Sequence, residues 1–83
     1  MTTNVTLTKA AGWVQVSTAA NVTATNPNSA DLEAAWSDTN PAASFQPIRL
    51  PALGQISRDF EVGALRLRNN SQFDTLIVTI DEA

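Results

Sequence analysis

Short runs in which apolar residues alternate with threonine recur along this chain. In the segment NVTLT, Val5 and Leu7 alternate with Thr6 and Thr8, and the segment NVTAT at 21–25 repeats the pattern. A period of two places alternate side chains on opposite faces of a β-strand. Ten threonines favour strands, whereas one lysine and three glutamates offer little for exposed helix surfaces. We therefore predict an all-β fold, a small antiparallel β-sandwich or barrel-like domain of about six to eight short strands.

The chain is short and has few means of reinforcing a small core. Its 83 residues predict a single domain spanning 1–83. A domain of this size buries only about 60–65% of its unfolded surface. The chain has no cysteine and no histidine, so neither a disulfide nor a typical zinc site can reinforce it. Its stability must come from its own thin core or from a partner surface.

Charge and hydropathy exclude several classes of partner. The net charge is −3, with five basic residues, which is poorly suited to sequence-independent binding of nucleic acid. No apolar run approaches the roughly 18–20 residues of a membrane span. The opening segment MTTNVTLTK lacks the basic start and apolar stretch of a signal peptide, so we expect the mature chain to begin at or near Met1. We expect no nucleic-acid or membrane partner.

The segment between two Asn-Pro pairs permits two secondary structures. Leu32, Ala35 and Trp36 fit the spacing of a helix, whereas Leu32, Ala34 and Trp36 fit one face of a strand. The stretch is short for a helix that must form by packing alone. We favour a strand.

Proline and glycine define the middle of the chain. Three prolines between residues 41 and 51 remove backbone donors, so we predict a loop with at most a short edge strand at Ile48–Leu50. Gly54 is expected to turn the chain. A further short strand is predicted over Ile56–Phe60.

The two C-terminal strands are predicted to form a hairpin. Leu65 and Leu67 in the first strand should face the core, as should Leu76, Val78 and Ile80 in the second. Pairing Leu67 with Leu76, and Leu65 with Val78, keeps all five inward because opposed residues share a face. A slip of one residue would expose them to water.

This predicted register leaves a mixed apolar and cationic patch on the outer face. Arg66 lies opposite Ile77 and Arg68 lies opposite Thr75, with no acid across from either arginine. Trp13 is out of phase with its valine neighbours and is also expected to face outward. Arginine and tryptophan are enriched at protein interfaces. Our candidate partner-binding residues are therefore Arg66, Arg68, Ile77 and Trp13.

Two alternatives remain for these arginines. They could pair with Asp59 or Glu61 on a neighbouring strand of the same chain and simply face water. They could also contact a nucleic-acid backbone, which the acidic composition disfavours.

The chain has few of the residue types that catalysis and metal binding commonly use. Without histidine or cysteine the usual catalytic triads and dyads cannot form, so we predict no catalytic or cofactor-binding residues. We interpret the carboxylate pairs as solvated edges, and the oxygen-rich Asp38–Asn40 as a turn leading into Pro41 rather than a calcium site. Trp13 and Trp36 could stack on sugars, as in a carbohydrate-binding module, although core packing is the more frequent role of tryptophan.

The order of several short motifs along the chain resembles that of a known group of proteins. The motifs are Trp-Val-x-Val-Ser (Trp13–Ser17), Ser-Asp-x-x-Pro (Ser37, Asp38, Pro41), Pro-Ala-Leu-Gly (Pro51–Gly54), Gly-Ala-Leu-Arg-Leu-Arg (Gly63–Arg68) and Leu-Ile-Val-Thr (Leu76–Thr79). This order resembles small β-sandwich virion proteins of tailed bacteriophages, which decorate or cement capsids or build head and tail appendages.

The resemblance implies a function by binding alone. It implies a virion protein that binds the capsid surface as a decoration or cement protein, with a head–tail or tail appendage component as the alternative. The implied partners are other copies of the chain, a trimer being the first expectation, and the major capsid protein or another virion protein. It carries over no catalytic residue and no cofactor.

Overall fold

The computed structural model describes residues 1–37, 39–42, 46–58 and 63–82. Within these ranges the chain forms strands and one 3-10 turn, Lys9–Ala11. No helix in the same ranges is long and apolar enough to cross a membrane. The strands are β1 (Thr2–Thr8), β2 (Trp13–Ser17), β3 (Val22–Thr25), β4 (Leu32–Ser37), β5 (Ile48–Leu50), β6 (Gln55–Arg58), β7 (Ala64–Arg68) and β8 (Thr75–Glu82).

The strands form two four-stranded antiparallel sheets, which confirms the predicted β-sandwich. Sheet I has the order β1-β8-β3-β6, and sheet II has the order β2-β7-β4-β5. The first strand pairs with the last, the second with the seventh, the third with the sixth and the fourth with the fifth. The chain is thus a long hairpin whose tip lies between β4 and β5, rolled so that β3 also pairs with β8 and β4 with β7. This pairing is the topology of an eight-stranded jelly roll.

The core lies between the two sheets and is built from alternate residues of nearly every strand. From Val5 to Thr8 in β1 and throughout β3, threonine occupies the outward positions and apolar residues occupy the inward ones, as the alternation predicts. The buried cluster consists of Leu7, Val22, Ala24, Leu32, Ala34, Leu50, Leu65, Leu67, Leu76, Val78 and Ile80.

The ambiguous segment is a strand, as favoured from its sequence. In β4, Leu32 and Ala34 are buried in the core and Trp36 packs against it. The predicted short edge strand is also confirmed, because β5 forms one edge of sheet II. The strand predicted over Ile56–Phe60 is present as β6, while residues 59 and 60 lie outside the described part of the chain.

The predicted C-terminal hairpin is wrong. β7 pairs with β2 and β4 in sheet II, whereas β8 pairs with β1 and β3 in sheet I. Leu65 and Leu67 do face inward, as do Leu76, Val78 and Ile80, but the two sets belong to opposite sheets. The parity argument identified the inward residues because both arrangements require the same ones to be buried. Parity could not show whether β7 and β8 pair within one sheet or face each other across the core from opposite sheets.

Strand β2 departs from simple alternation at its end. The register with β7 shifts between Gln15 and Ser17, so that Ser17 lies opposite the inward Leu65. Ser17 is buried and donates a hydrogen bond to a carboxylate oxygen of Glu82, whereas simple alternation would place it on the outer face with Trp13 and Gln15. A β-bulge inserts one extra residue and changes the face of those beyond it.

A buried asparagine organises the crossing from β7 to β8. The side-chain amide of Asn69 donates hydrogen bonds to the carbonyls of Leu7 (3.1 Å) and Phe73 (3.0 Å). Its carbonyl oxygen accepts hydrogen bonds from the backbone N–H (3.1 Å) and the hydroxyl (2.7 Å) of Ser71. One side chain therefore closes the turn and fixes it to β1, and this directs the chain into the other sheet.

A second buried asparagine performs the same role between β3 and β4. The amide of Asn26 donates to the carbonyls of Ala30 (2.8 Å) and Pro51 (3.2 Å), and its oxygen accepts from the backbone N–H of Asn28 (3.1 Å). Both asparagines directly follow the last residue of a strand, and both close a turn through the N–H two residues later. Each replaces backbone hydrogen bonds that the chain loses where it leaves a sheet.

The turn between β5 and β6 places an unusual residue in the left-handed region. The N–H of Gly54 donates to the carbonyl of Pro51 (3.0 Å), which confirms a turn at Gly54, but the residue with positive φ (59°) is Leu53. Left-handed backbone favours glycine or asparagine, so leucine is strained there. Leu53 is 78% exposed, so burial does not compensate for the strain.

We expect Asn69→Ala to lower the free energy of unfolding by about 2–3 kcal/mol, because it leaves buried carbonyls without donors. Urea unfolding followed by circular dichroism measures the change. The neighbouring Asn70 is exposed and supplies the matched control, since Asn70→Ala should change stability by less than about 0.5 kcal/mol. Equal effects of the two substitutions would contradict the role assigned to Asn69.

We expect Leu53→Asn to raise the free energy of unfolding by up to about 1 kcal/mol, because asparagine tolerates positive φ better than leucine. Thermal unfolding monitored by calorimetry measures the shift. Gly54→Ala should instead destabilise the turn, because a Cβ there would lie 2.6 Å from the Cγ of Pro51. Destabilisation by Leu53→Asn would show that the exposed leucine contributes contacts that outweigh the strain.

Candidate functional site

A cross-strand row of aromatic and charged side chains crosses the outer face of sheet II. The register places Trp13 of β2 beside Arg68 of β7, Arg68 beside Glu33 of β4, and Glu33 beside Arg49 of β5. Directly opposed side chains in a sheet lie about 4.5–5.5 Å apart at Cβ, so neighbours in the row can touch. We call this surface the arginine face and define it by Trp13, Gln15, Glu33, Arg49, Arg66 and Arg68.

Arg68 is held from both sides. Its Nε donates to Oε1 of Glu33 at 2.8 Å, and Nη2 contacts the same oxygen. On the other side the guanidinium carbon lies 4.7 Å from the centroid of the Trp13 ring. The Arg68 and Glu33 side chains are only 35% and 26% exposed, so water screens this ion pair incompletely. A cation over an indole adds a further attraction.

Arg66 lies in the next row and connects the sheet to the loop that follows β4. Its Nε donates to the carbonyl of Ser37 (3.1 Å) and Nη1 donates to Oδ1 of Asn40 (2.9 Å). Nη2 lies 3.4 Å from Oε1 of Gln15. The guanidinium therefore bridges three strands and the loop after β4, and it fixes the side chain in one orientation on the arginine face.

The β5 end of the arginine face opens into a groove. Arg49 forms an ion pair with Asp31 (2.9 Å) in which both side chains are largely exposed. The groove has a volume of about 270 Å³ and is shallow and open to solvent. Its lining consists of Asp31, Glu33, Pro47, Ile48, Arg49 and Asn70.

Three of the four predicted partner-binding residues come together on this face, and the fourth does not. Trp13, Arg66 and Arg68 share the outer face of sheet II. Ile77 lies on the outer face of sheet I, opposite Thr6, where it is 50% exposed. The single four-residue patch predicted from the hairpin is therefore wrong, because β7 and β8 belong to different sheets.

The pairing of Glu33 with Arg68 was not predicted from the sequence. Glu33 and Asp31 form one of the carboxylate pairs that were interpreted as solvated edges, and the structure makes Glu33 the cross-strand neighbour of Arg68. The alternation within β4 could have predicted its orientation, because a strand that buries Leu32 and Ala34 must direct Glu33 to the outer face. The proposed pairing with Asp59 or Glu61 falls on residues outside the described part of the chain.

This face offers binding groups, arranged as alternating aromatic, positive and negative side chains. Among the residues described, no three carboxylates are grouped as a metal site would require. The second tryptophan, Trp36, packs against the core from the inner face of sheet II. Trp13 has the Arg68 guanidinium over its ring, so a sugar stacking on that side would have to displace it.

Comparison of the chain with protein-family models, with curated proteins and with solved structures finds no match.

We expect the Glu33–Arg68 pair to show a coupling energy of about 1 kcal/mol in a double-mutant cycle, because both side chains are half-buried. The cycle compares Glu33→Gln, Arg68→Met and the double variant by urea unfolding.

The exposed Asp31–Arg49 pair is the matched control. Its side chains are 49% and 71% exposed, so Asp31→Asn with Arg49→Met should give a coupling below about 0.5 kcal/mol. A larger coupling for the exposed pair than for Glu33–Arg68 would overturn the ordering that burial predicts.

Proposed function

We propose that this chain is a non-enzymatic structural protein of a bacteriophage particle, which binds the capsid surface as a decoration or cement protein. The proposed binding surface is the arginine face. The observation that carries this assignment is the ordered row of Trp13, Arg68, Glu33 and Arg49 on a rigid sheet. Arginine and tryptophan supply much of the energy of protein interfaces.

The arginine face is organised before any partner arrives. Arg68 is fixed by Glu33 and Trp13, and Arg66 by Ser37 and Asn40. Immobilising a long side chain on binding costs about 0.5–1.5 kcal/mol, and intrachain contacts remove part of that cost in advance. A rigid array of donors and charges therefore favours recognition of a partner with a fixed complementary surface.

The charge pattern favours a protein partner over nucleic acid. Three of the five basic residues lie on the arginine face, but Glu33 and Asp31 stand among them. Carboxylates within the array repel phosphates, and much of the donor capacity of the guanidiniums is already used. A partner surface that carries both signs of charge matches this alternation.

The virion assignment rests on two further supports. The order of motifs along the chain resembles that of small virion proteins of tailed bacteriophages. The eight-stranded jelly roll is also a fold used by viral capsid proteins, among other classes such as lectins and cupins. The second support is an analogy at the level of fold, which hosts many functions.

Mass spectrometry of purified particles from the source phage tests the virion assignment. A decoration or cement protein should be present in a copy number comparable to that of the major capsid protein. A copy number of only a few per particle would favour the alternative, a head–tail or tail appendage component. Absence from purified particles would overturn the proposal.

Binding through the arginine face is tested by adding variants to capsids assembled without the protein. We expect Arg66→Ala to weaken binding at least tenfold, because interface arginines typically contribute more than 1 kcal/mol. Co-sedimentation of folded protein with the capsids measures the affinity.

Gln55→Glu is the matched control for this experiment. It changes net charge by the same single unit, and Gln55 is exposed on the outer face of sheet I, away from the arginine face. Gln55→Glu should bind as the unsubstituted chain does. If both variants bound capsids equally weakly, the effect would be one of net charge. If Arg66→Ala bound as tightly as the unsubstituted chain, the arginine face would not be the interface.

A further inference from the structure

The four edges of the two sheets differ in how they are protected against pairing with another chain. Natural sheets protect their edges with short strands, bulges, prolines or charges. In sheet II, β2 carries a bulge, and β5 has three residues between Pro47 and Pro51 with Arg49 at its centre. In sheet I, β6 is four residues long.

Strand β1 has none of these protections. It is seven residues long, TTNVTLT, and it contains no charge and no proline. Its register with β8 runs without a bulge from Thr2 to Thr8. Long, uncharged and regular edge strands are the ones that pair with a further strand.

The hydrogen bonds to β8 show which backbone groups of β1 point off the edge. Met1 and Glu82 exchange backbone hydrogen bonds, and the N–H of Lys9 donates to the carbonyl of Asp74 (3.0 Å). In an antiparallel pair such bonded residues alternate with residues whose groups point the other way. The odd positions of β1 therefore bond to β8, and the even positions present their N–H and C=O groups at the open edge.

These outward groups belong to residues with small polar side chains. The residues are Thr2, Asn4, Thr6 and Thr8. Their side chains all lie on the outer face of sheet I. In the described part of the chain, β1 is an edge strand, so the outward backbone groups of Thr2, Asn4 and Thr6 have no partner strand beside them. Thr8 is the N-cap of the 3-10 turn, so its C=O accepts the first hydrogen bond of that turn and only its N–H is left at the edge.

We propose that β1 pairs with β1 of a second copy of this chain, antiparallel about a twofold axis at Val5. In this register Thr2 lies opposite Thr8 and Asn4 lies opposite Thr6. Asn4 and Thr6 therefore exchange both backbone hydrogen bonds with the other copy, and the N–H of Thr8 donates to the C=O of Thr2. Outer residues meet outer residues, and Val5 meets its own counterpart beside the core. The pairing joins the two copies of sheet I into one continuous sheet.

A second copy fits this edge better than an unrelated strand because β1 is complementary to itself. No like charges meet along the strand, since Thr2 to Thr8 are all uncharged. Just beyond the strand, Lys9 of each copy lies opposite Met1 of the other. Both cations have an acid beside them in their own chain, because Met1 lies 4.0 Å from Asp81 and Lys9 is the direct cross-strand neighbour of Asp74. The contact is isologous, as twofold dimers require.

This assembly differs from the trimer that the resemblance implies, and it does not depend on the virion assignment. The dimer contact lies at the edge of sheet I. The arginine face on sheet II stays open to another partner, so a dimer would present two such faces.

The test compares two substitutions at one edge position. Thr6→Pro removes an N–H that points off the edge and places the proline ring against the incoming strand. Thr6 makes no backbone hydrogen bond to β8, so the substitution leaves the pairing within sheet I intact. Thr6→Ala keeps the N–H and is the matched control. Sedimentation equilibrium should give about twice the monomer mass of 8.8 kDa for the unsubstituted chain and for Thr6→Ala. Thr6→Pro should weaken dimerisation about 100-fold, because each copy loses an edge hydrogen bond and its proline ring collides with the incoming strand.

Amide hydrogen exchange of the unsubstituted chain gives a second measurement that needs no variant. At concentrations where the dimer forms, the amides of Asn4 and Thr6 should be protected, and dilution should expose them. The amides of Val5 and Leu7 should remain protected throughout, because they bond to β8. The proposal would be overturned if the unsubstituted chain were a monomer, or if it were a trimer in which the amides of Asn4 and Thr6 exchange freely. It would also be overturned if the Thr6→Pro variant dimerised as tightly as the unsubstituted chain.

Discussion

The two buried asparagines at the sheet crossings hold the rest of the structure in place. Among the eight strands in the described part of the chain, only β4 and β5 follow each other in sequence and are also neighbours in one sheet. Each of the other connections must leave one layer and enter the next, and the chain loses ladder hydrogen bonds as it does so. Asn26 and Asn69 supply replacements from a single side chain, and they bond to β5–β6 and to β1 respectively. With these crossings fixed, the inward residues of both sheets meet in one core.

The arginine face is a consequence of that topology. Arg68 and Glu33 lie 35 residues apart in the sequence, and they become neighbours only because β7 lies between β2 and β4. The same arrangement places Trp13 on the other side of Arg68. A surface with this order on a rigid sheet fits the recognition of another protein, which is the basis of the proposed role on a virus particle.

The two sheets divide the molecule into surfaces of different character. The outer face of sheet II carries most of the basic residues, whereas the outer face of sheet I is dominated by threonine and ends in an unprotected edge strand. The proposed binding surface and the proposed dimer contact do not overlap, because one lies on the outer face of sheet II and the other at the edge of sheet I.

Much of the local structure was predictable from the alternation of residue types, since a period of two determines which side chains of a strand face inward. This identified Val5 and Leu7, the strand at Leu32–Trp36, and the inward leucines of the last two strands. Alternation carries no information on which strands become neighbours, so the hairpin of β7 with β8 was wrong and Ile77 was placed on the wrong sheet. The bulge that buries Ser17 was equally invisible, because an added residue depends on the pairing partner. The sequence by itself determined strands, faces and core residues, all set by local geometry. Only the tertiary structure decided the neighbours and therefore the site, because long-range pairing depends on how the whole core is filled.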